Sequence, residues 1–266
     1  MNIAQRLVAT LLLFLTVQGV AMASKPVAGQ ALTGFDALNV AGRQRMLSQR
    51  VVKLYCQLQL GVRSVASNHA LDEAISTFDE QLVALRSASK NTEMQQTLQN
   101  QVHVWNEMKL VLQKDPSIEN IKNLAEISEN LLEISQKFVI LLGKYHHQNG
   151  YEWIEKSGRQ RMLSQRMAKF YMLKRLGLAH ANAGAEIDKA RNEFNRIHTS
   201  LMYGAQNNPD IVDKLQYVQT QWDQLKAALE GDKKSDEDRV AAISDRILAG
   251  MEQVTDLFEE AYDTDD

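Results

Sequence analysis

The sequence predicts an all-α protein built as a tandem duplication of an up-down-up-down four-helix unit. Proline occurs only three times in 266 residues, and apolar residues recur with the three- and four-residue steps of a helix rather than with the alternation of a strand. A nine-residue block, GRQRMLSQR, begins at Gly42 and recurs letter for letter at Gly158, 116 positions later. Together these features predict two copies of one helical unit.

Four helices are predicted in the first half. The repeated block lies on a helix from about residue 36 to residue 67, and three apolar stripes follow, over residues 71–85, 94–112 and 118–141. Thr92 and Gln95 form a candidate capping box before the second stripe. Pro116 suits the first turn of the helix that follows it. Short connections between these helices favour antiparallel neighbours.

The second half repeats this plan at a nearly constant offset. A second motif helix is predicted from about residue 151 to residue 182, followed by stripes over residues 190–201, 211–229 and 240–258. Asn208-Pro209 and Ser235 with Asp238 are candidate starts of the last two helices. The sequence leaves open whether the last helix of the first unit continues into the second motif helix.

The first 23 residues have the features of a cleavable export signal. Arg6 precedes an apolar run over residues 7–17, and Ala21-Met22-Ala23 resembles a cleavage site. The run is shorter than the roughly 20 residues that span a bilayer, although an uncleaved anchor is the alternative. We therefore expect a signal peptide at 1–23, helical units at 24–149 and 150–266, and a periplasmic location.

Composition and spacing argue against several classes of function. The formal net charge of -3 disfavours nucleic-acid binding. The single cysteine, Cys56, permits no internal disulfide. The histidines lack metal-ligand spacing, and no nucleophile or acid-base pair stands out. We therefore predict no metal, no cofactor and no enzymatic activity, and we expect the acidic end, including Glu259 and Glu260, to be frayed and solvated.

The repeated block is the candidate ligand site. On a helical wheel Gly42, Arg45 and Gln49 share one side, while a leucine-rich stripe that includes Leu47 enters the bundle. The glycine allows a ligand or a second backbone to approach, and Arg45 and Gln49 could converge on a planar anion. Arg50 is about 140° away from Arg45 on the wheel, so one small ligand is not easily held squarely by both.

The second copy presents the same groups. If the two faces meet, their arginines repel each other unless an anion lies between them, because an unpaired buried ion costs several kcal/mol. The other interpretation is that the arginines pair with acids on neighbouring helices or lie in solvent. The predicted ligand-binding residues are Gly42, Arg45, Gln49, Arg50, Gly158, Arg161, Gln165 and Arg166.

The repeated block, with a lysine three places after it, resembles the signature of the PilJ-type sensor domain of type IV pilus chemotaxis transducers. More distantly, it resembles the P box of the NarX and NarQ type nitrate and nitrite sensor kinases. The resemblance implies a periplasmic helical bundle that binds nitrate or nitrite, with Arg45 and Arg161 at a helix-helix junction. Gly42, Gly158, Arg50 and Arg166 also match the signature.

Such sensors are flanked by transmembrane helices and end in cytoplasmic signalling modules, and this sequence carries neither. We therefore expect a soluble binding protein that acts with a membrane chemoreceptor or a sensor kinase. If the two motif helices lie far apart in one chain, a homodimer would have to bring the like faces together. The alternative is a structural module that docks on another helical protein and binds no small molecule.

Overall fold

The computed structural model describes residues 32, 34–146, 149–178, 182–206 and 208–263, and within them the chain forms eight α-helices and no strand. The all-α prediction is confirmed. The predicted export signal lies outside the described residues, within which no helix is long and apolar enough to cross a membrane. In chain order the helices are α1 (Gly34–Leu60), α2 (Ser64–Ala88), α3 (Thr92–Leu112), α4 (Ile118–Tyr145), α5 (Tyr151–Arg175), α6 (Ala183–Gly204), α7 (Pro209–Leu229) and α8 (Lys234–Asp263).

Each half is an antiparallel four-helix unit. In the first, α1 packs against α2 and α4, and α3 packs mainly against α4; α5 to α8 repeat this arrangement. The direction of packing follows from the cross-links between α1 and the α4 region. Gln49 bonds the backbone oxygen of Ser128, whereas Tyr55, later in α1, bonds that of Lys114, earlier in the chain. Because the connections are short, consecutive helices bury their apolar stripes by packing antiparallel to each other.

The two motif helices, α1 and α5, pack directly against each other. They run parallel, because Gly42 lies opposite Gly158 while Arg50, further along α1, bonds Gln165, further along α5. The two copies of the block therefore meet within one chain, and no second chain is needed to bring them together. Because α1 contacts its own unit on one side and α5 on the other, polar residues such as Lys53 are as buried as the predicted leucine stripe.

Both motif helices end earlier than predicted. The first ends at Leu60 instead of residue 67, because Gly61 has φ 68° and the N–H groups of Gly61 and Val62 bond back to carbonyls of the last turn. Gly177, with φ 71°, ends α5 by the same glycine-based closure. In the sequence, a glycine followed by an apolar residue indicates this kind of helix end. The prediction missed it because apolar residues continue at helical spacing beyond the glycine.

Two predicted helix starts were off by one and by two residues. The side chain of Asn91, not of Thr92, caps α3 by accepting from the backbone N–H of Met94 at 2.9 Å. Helix α8 begins at Lys234, so Ser235 lies inside the helix, and Asp236 rather than Asp238 accepts from the backbone N–H at the cap, that of Lys233. The predicted start at Asn208-Pro209 is confirmed, with Asn208 as the cap of α7. Asparagine is a strong N-cap because its short side chain reaches the free N–H groups of the first turn.

The helical structure is interrupted between the two units. Helix α4 ends at Tyr145 and α5 begins at Tyr151, so the last helix of the first unit does not continue into the second motif helix. Gly150 has φ 86°, and a Cβ atom there would collide with the ring of Tyr262. Only glycine combines this backbone conformation with such close packing.

Aromatic pairs fill the core of each unit at equivalent positions. Phe78 stacks on Trp105 with ring centroids 3.9 Å apart, and Phe194 stacks on Trp222 at 4.3 Å. All four rings are buried, as the apolar stripes predicted. The indole N–H of Trp105 donates to Asp79 at 2.8 Å, so burial leaves this polar group satisfied.

Candidate functional site

Two glycines allow the motif helices to touch. An ideal Cβ atom built on Gly42 would lie 4.0 Å from the Cα atom of Gly158, 3.4 Å from Nη2 of Arg45 and 3.7 Å from Nη2 of Arg161. One built on Gly158 would lie 3.2 Å from Nη2 of Arg161 and 3.5 Å from that of Arg45. Both guanidinium groups therefore lie over the glycine contact, which we call the glycine crossing.

Arg45 and Arg161 are both fully buried. Nη1 of Arg45 donates to Oε1 of Glu155 and to Oε1 of Gln136, each at 2.7 Å. Nη2 of Arg161 donates to Oδ1 of Asn39 at 2.7 Å. The structure thus brings together the two arginines that the sequence singled out, and it places one carboxylate and two amides around them.

Each guanidinium group retains donors without a protein acceptor. Nε and Nη2 of Arg45, and Nε and Nη1 of Arg161, are buried and have no hydrogen-bond partner among the described residues. A buried donor that is left unpaired costs about 1–3 kcal/mol, and more when it is charged. Four such nitrogens at one crossing are the arrangement that a small oxyanion, with several acceptor oxygens, could satisfy.

Burial also shifts the proton equilibria at the crossing. Desolvation, reinforced by the charge of Arg43, lowers the pKa of Arg161 to about 10, so that Arg161 remains charged at neutral pH. Burial raises the pKa of Glu259 to about 8, although Arg161 opposes this shift. The expectation of a frayed, solvated end was therefore wrong for Glu259. Helix α8 carries its carboxyl group inward, where Asn39 hydrogen-bonds it and one oxygen atom is buried without a partner.

The raised pKa of Glu259 predicts a pH-dependent loss of stability. Because the folded protein holds this proton until about pH 8 and an unfolded chain releases it near pH 4.5, the contribution of Glu259 to stability falls between these pH values. Glu259→Gln should abolish this decline and stabilise the protein at pH 8 by up to a few kcal/mol. Urea unfolding at pH 5 and pH 8 measures the effect. A Glu260→Gln variant, changed at an exposed neighbour, should behave like the unmodified protein.

The predicted glutamines connect helices rather than facing the crossing. Nε2 of Gln49 donates to the backbone oxygen of Ser128 at 3.2 Å, and Nε2 of Gln165 donates to that of Ser244 at 2.9 Å. Their side-chain oxygens accept from the arginine at the end of the other block. In both amides the nitrogen and the oxygen are therefore hydrogen-bonded, and these bonds hold the two units in register.

Arg50 and Arg166 lie in ion pairs about 7.5 Å beyond Arg45 and Arg161 along their helices, at the usual rise of 1.5 Å per residue. Arg50 donates to Asp245 at 2.5 Å. Arg166 contacts Glu129 and Glu186, each at 2.7 Å. Here, as at Arg43 and Arg45, the structure matches the interpretation that the arginines pair with acids on neighbouring helices.

A buried lysine joins each of these ion pairs. Lys53 contacts Asp245 at 2.6 Å, and Lys169 contacts Glu129 at 2.5 Å. Desolvation lowers the pKa of both lysines to about 8, although the carboxylates oppose this shift. Burial alone would raise the pKa of Glu129, but Lys169 and Arg166 together lower it to about 2. These two clusters tie α1 to α8 and α5 to α4.

Sequence reasoning missed the acceptors around the arginines. Asn39 and Glu155 each lie six positions before the motif arginine of their own helix, and each contacts the arginine of the other helix. Gln136 and Glu252 are the equivalent positions on α4 and α8. The repeat itself contained a signal for these acceptors, because Asn39 and Glu155, and likewise Gln136 and Glu252, are separated by the same 116 positions as the repeated blocks. A search for identical residues in the two copies does not find these positions, because each pair combines an amide with a carboxylate.

The paired units and the buried arginine block define a tandem pair of helical domains that meet at a charged, buried junction. The chain matches the family described as PilJ, type IV pili methyl-accepting chemotaxis transducer N-term, over residues 29–126 and 147–250. The matches cover well over half of the sequence, and the chain therefore belongs to this family, with one copy in each unit. No curated protein and no solved structure matches it. The more distant relation to the NarX and NarQ kinases stays a prediction.

Membership of this family identifies a helical domain of the kind that senses for chemotaxis transducers and interacts with chemoreceptor or signalling machinery. Such domains are sensory rather than enzymatic. Within the described residues, no group of three or more histidine, cysteine, aspartate or glutamate side chains could hold a metal ion. The lone Cys56 is buried, and burial raises its pKa to about 12, so its thiolate is scarce at neutral pH.

Proposed function

We propose that this protein is a periplasmic sensory protein that binds a small planar oxyanion, nitrate or nitrite, between Arg45 and Arg161. The single observation that carries this proposal is the set of four buried, unpartnered guanidinium nitrogens at the glycine crossing. Two like charges at one junction repel each other, and an anion between them offsets this repulsion while satisfying their donors.

The geometry favours a small, flat guest. The guanidinium groups lie within 3.2–3.7 Å of the Cβ positions that the two glycines leave open, so a bulky organic anion has little room there. Nitrate and nitrite present oxygen atoms in one plane, as the guanidinium fork requires. Binding at the crossing would also bridge the two units, because Arg45 belongs to one unit and Arg161 to the other.

Titration calorimetry on residues 24–266 with nitrate, nitrite and chloride tests the proposal. We expect heat for nitrate or nitrite, and its loss in an Arg45→Gln, Arg161→Gln double variant. Arg196→Gln, which removes an exposed arginine on α6, should bind as the unmodified protein does. The absence of heat for both oxyanions, or unchanged binding in the double variant, would contradict the proposal.

Thermal melts discriminate the alternative function, a docking module without a small ligand. The observation that favours this alternative is the set of ion pairs that, within the described residues, already joins five of the six block arginines, all except Arg161, to carboxylates. A ligand of the folded state adds about 2.7 kcal/mol of stability at one hundred times its dissociation constant. A docking module would show no such rise with nitrate or nitrite.

Export and a membrane partner complete the proposal. The features of residues 1–23 support secretion into the periplasm, where a chemoreceptor or a sensor kinase would read the liganded state. Fractionation of cells that express the full chain, with immunodetection of the processed form, tests the location. Recovery of unprocessed protein in the cytoplasm would contradict this part of the proposal and leave anion binding unaffected.

A further inference from the structure

The two halves of the glycine crossing are not chemically equivalent. Positions 39 and 155 correspond in the two units, as do positions 136 and 252, each pair being 116 residues apart. In a protein with two identical copies each pair would hold the same residue type. Here each pair combines an amide with a carboxylate: Asn39 with Glu155, and Gln136 with Glu252.

Because of this difference between the two units, Arg45 and Arg161 have different partners. Arg45 forms an ion pair with Glu155 at 2.7 Å, whereas the corresponding partner of Arg161 is the neutral amide of Asn39. The other motif arginines are also paired: Arg43 contacts Glu252 at 3.4 Å, and Arg159 contacts Glu193 at 2.5 Å.

Arg161 therefore differs from the other five arginines of the two blocks. Arg50 and Arg166 are paired with carboxylates as well, and within the described residues Arg161 alone of the six forms no ion pair. The carboxyl groups of Glu252, Glu259 and Asp256 lie near Arg161, and none of them forms an ion pair with it. Of these, Glu252 is engaged by Arg43, Glu259 keeps its proton until about pH 8, and Asp256, whose pKa is raised by burial, is not within ion-pair distance of Arg161.

We propose that Arg161 is the main anion-binding residue, and that Glu155 holds Arg45 and restricts the crossing to guests of a single negative charge. This inference rests on the proposed function. Glu155 compensates Arg45 and Glu252 compensates Arg43, so Arg161 is the arginine left without a carboxylate partner, and a monovalent anion neutralises it. A divalent anion such as sulfate would leave one negative charge uncompensated at this buried site, and an uncompensated buried ion is costly.

Glu155 also competes with the guest for Arg45. Its carboxylate takes Nη1, while Nε and Nη2 of the same guanidinium group have no acceptor. The side chain of Glu155 is about one-quarter exposed, whereas that of Arg45 is fully buried. The carboxylate therefore approaches the arginine from the solvent side, and its charge opposes the arrival of any second anion. Removing that charge should strengthen binding and relax the discrimination against divalent anions.

Two isosteric variants with opposite expected effects test this inference by calorimetry with nitrate and with sulfate. Glu155→Gln should bind nitrate at least ten-fold more tightly and should acquire sulfate binding. Asn39→Asp, which gives Arg161 a carboxylate of its own, should weaken nitrate binding at least ten-fold. Glu152→Gln removes an exposed carboxylate from the first turn of the same helix and should change neither affinity.

Single arginine variants complete the test. Arg161→Gln should lose nitrate binding to a greater extent than Arg45→Gln, with thermal melts of both to verify folding. Equal losses, unchanged nitrate affinity in Glu155→Gln, or tight sulfate binding by the unmodified protein would overturn the inference while leaving oxyanion binding standing. If neither the unmodified protein nor Glu155→Gln binds any of these anions, the proposed function fails as well.

Discussion

Asp245→Asn is expected to destabilise the protein by about 3 kcal/mol, the lower end of what breaking a buried ion pair costs. Asp245 contacts Arg50 at 2.5 Å and Lys53 at 2.6 Å, and the ammonium group of Lys53 is fully buried. Without the carboxylate, Lys53 retains, among the residues that the structure describes, only the hydroxyl of Ser244 at 3.4 Å and the new amide. The lysine must then remain an uncompensated charge or lose its proton. Urea unfolding at pH 7 measures the loss.

The second unit provides an internal control for this experiment. Glu129 occupies the equivalent position, but its side chain is 42% exposed, against 31% for Asp245, and Arg166 keeps Glu186 as a second carboxylate. Glu129→Gln should therefore cost clearly less than Asp245→Asn. Adding Lys53→Met to Asp245→Asn should restore much of the lost stability, because an apolar side chain of similar size needs no partner. Equal losses in the two units would contradict this account.

Gly158→Val is expected both to destabilise the fold, by about 2–3 kcal/mol as overpacking does, and to abolish anion binding. A Cβ atom at this position would lie 3.2 Å from Nη2 of Arg161 and 3.9 Å from the Cα atom of Gly42. The methyl groups of valine extend about 1.5 Å further, at the usual carbon-carbon bond length. They would push the guanidinium group aside and separate α1 from α5.

Gly184→Val is the matched control for Gly158→Val. Gly184 lies on α6, and a Cβ atom there would meet nothing within 4 Å. Because valine has a higher helix propensity than glycine, we expect this change to be neutral or slightly stabilising. Chemical unfolding and nitrate calorimetry of both variants measure the difference. A Gly158→Val protein that keeps its stability would show that the helices do not touch at this position.

The helices could be predicted from the sequence because their causes are local. Apolar steps of three and four residues produced the stripes that hold Phe78, Trp105, Phe194 and Trp222, and all four are buried. Local chemistry also predicted the start of α7 at Asn208. The prediction failed at the ends of the motif helices, where a glycine closure outweighed the continuing apolar pattern.

The candidate site was predictable in part. Repetition of the block identified Arg45 and Arg161, because helix packing alone does not require the same arginines to be kept in two copies. Their acceptors could not be identified in this way, since Glu155 reaches Arg45 from 110 positions away and Asn39 reaches Arg161 across 122. Glu259, assigned to a solvated end, lies beside Arg161 because α8 continues to Asp263.

By itself, the sequence determined the all-α class, the duplication and the pair of arginine blocks, because helical periodicity and repetition are properties of the chain alone. The tertiary structure decided that the blocks meet within one chain, that α1 and α5 run parallel, and that one arginine is paired with a carboxylate while the other is not. Those outcomes depend on the register of packed helices, which brings together residues more than a hundred positions apart. A charge is compensated or left free by its neighbours in space, and no local pattern specifies them.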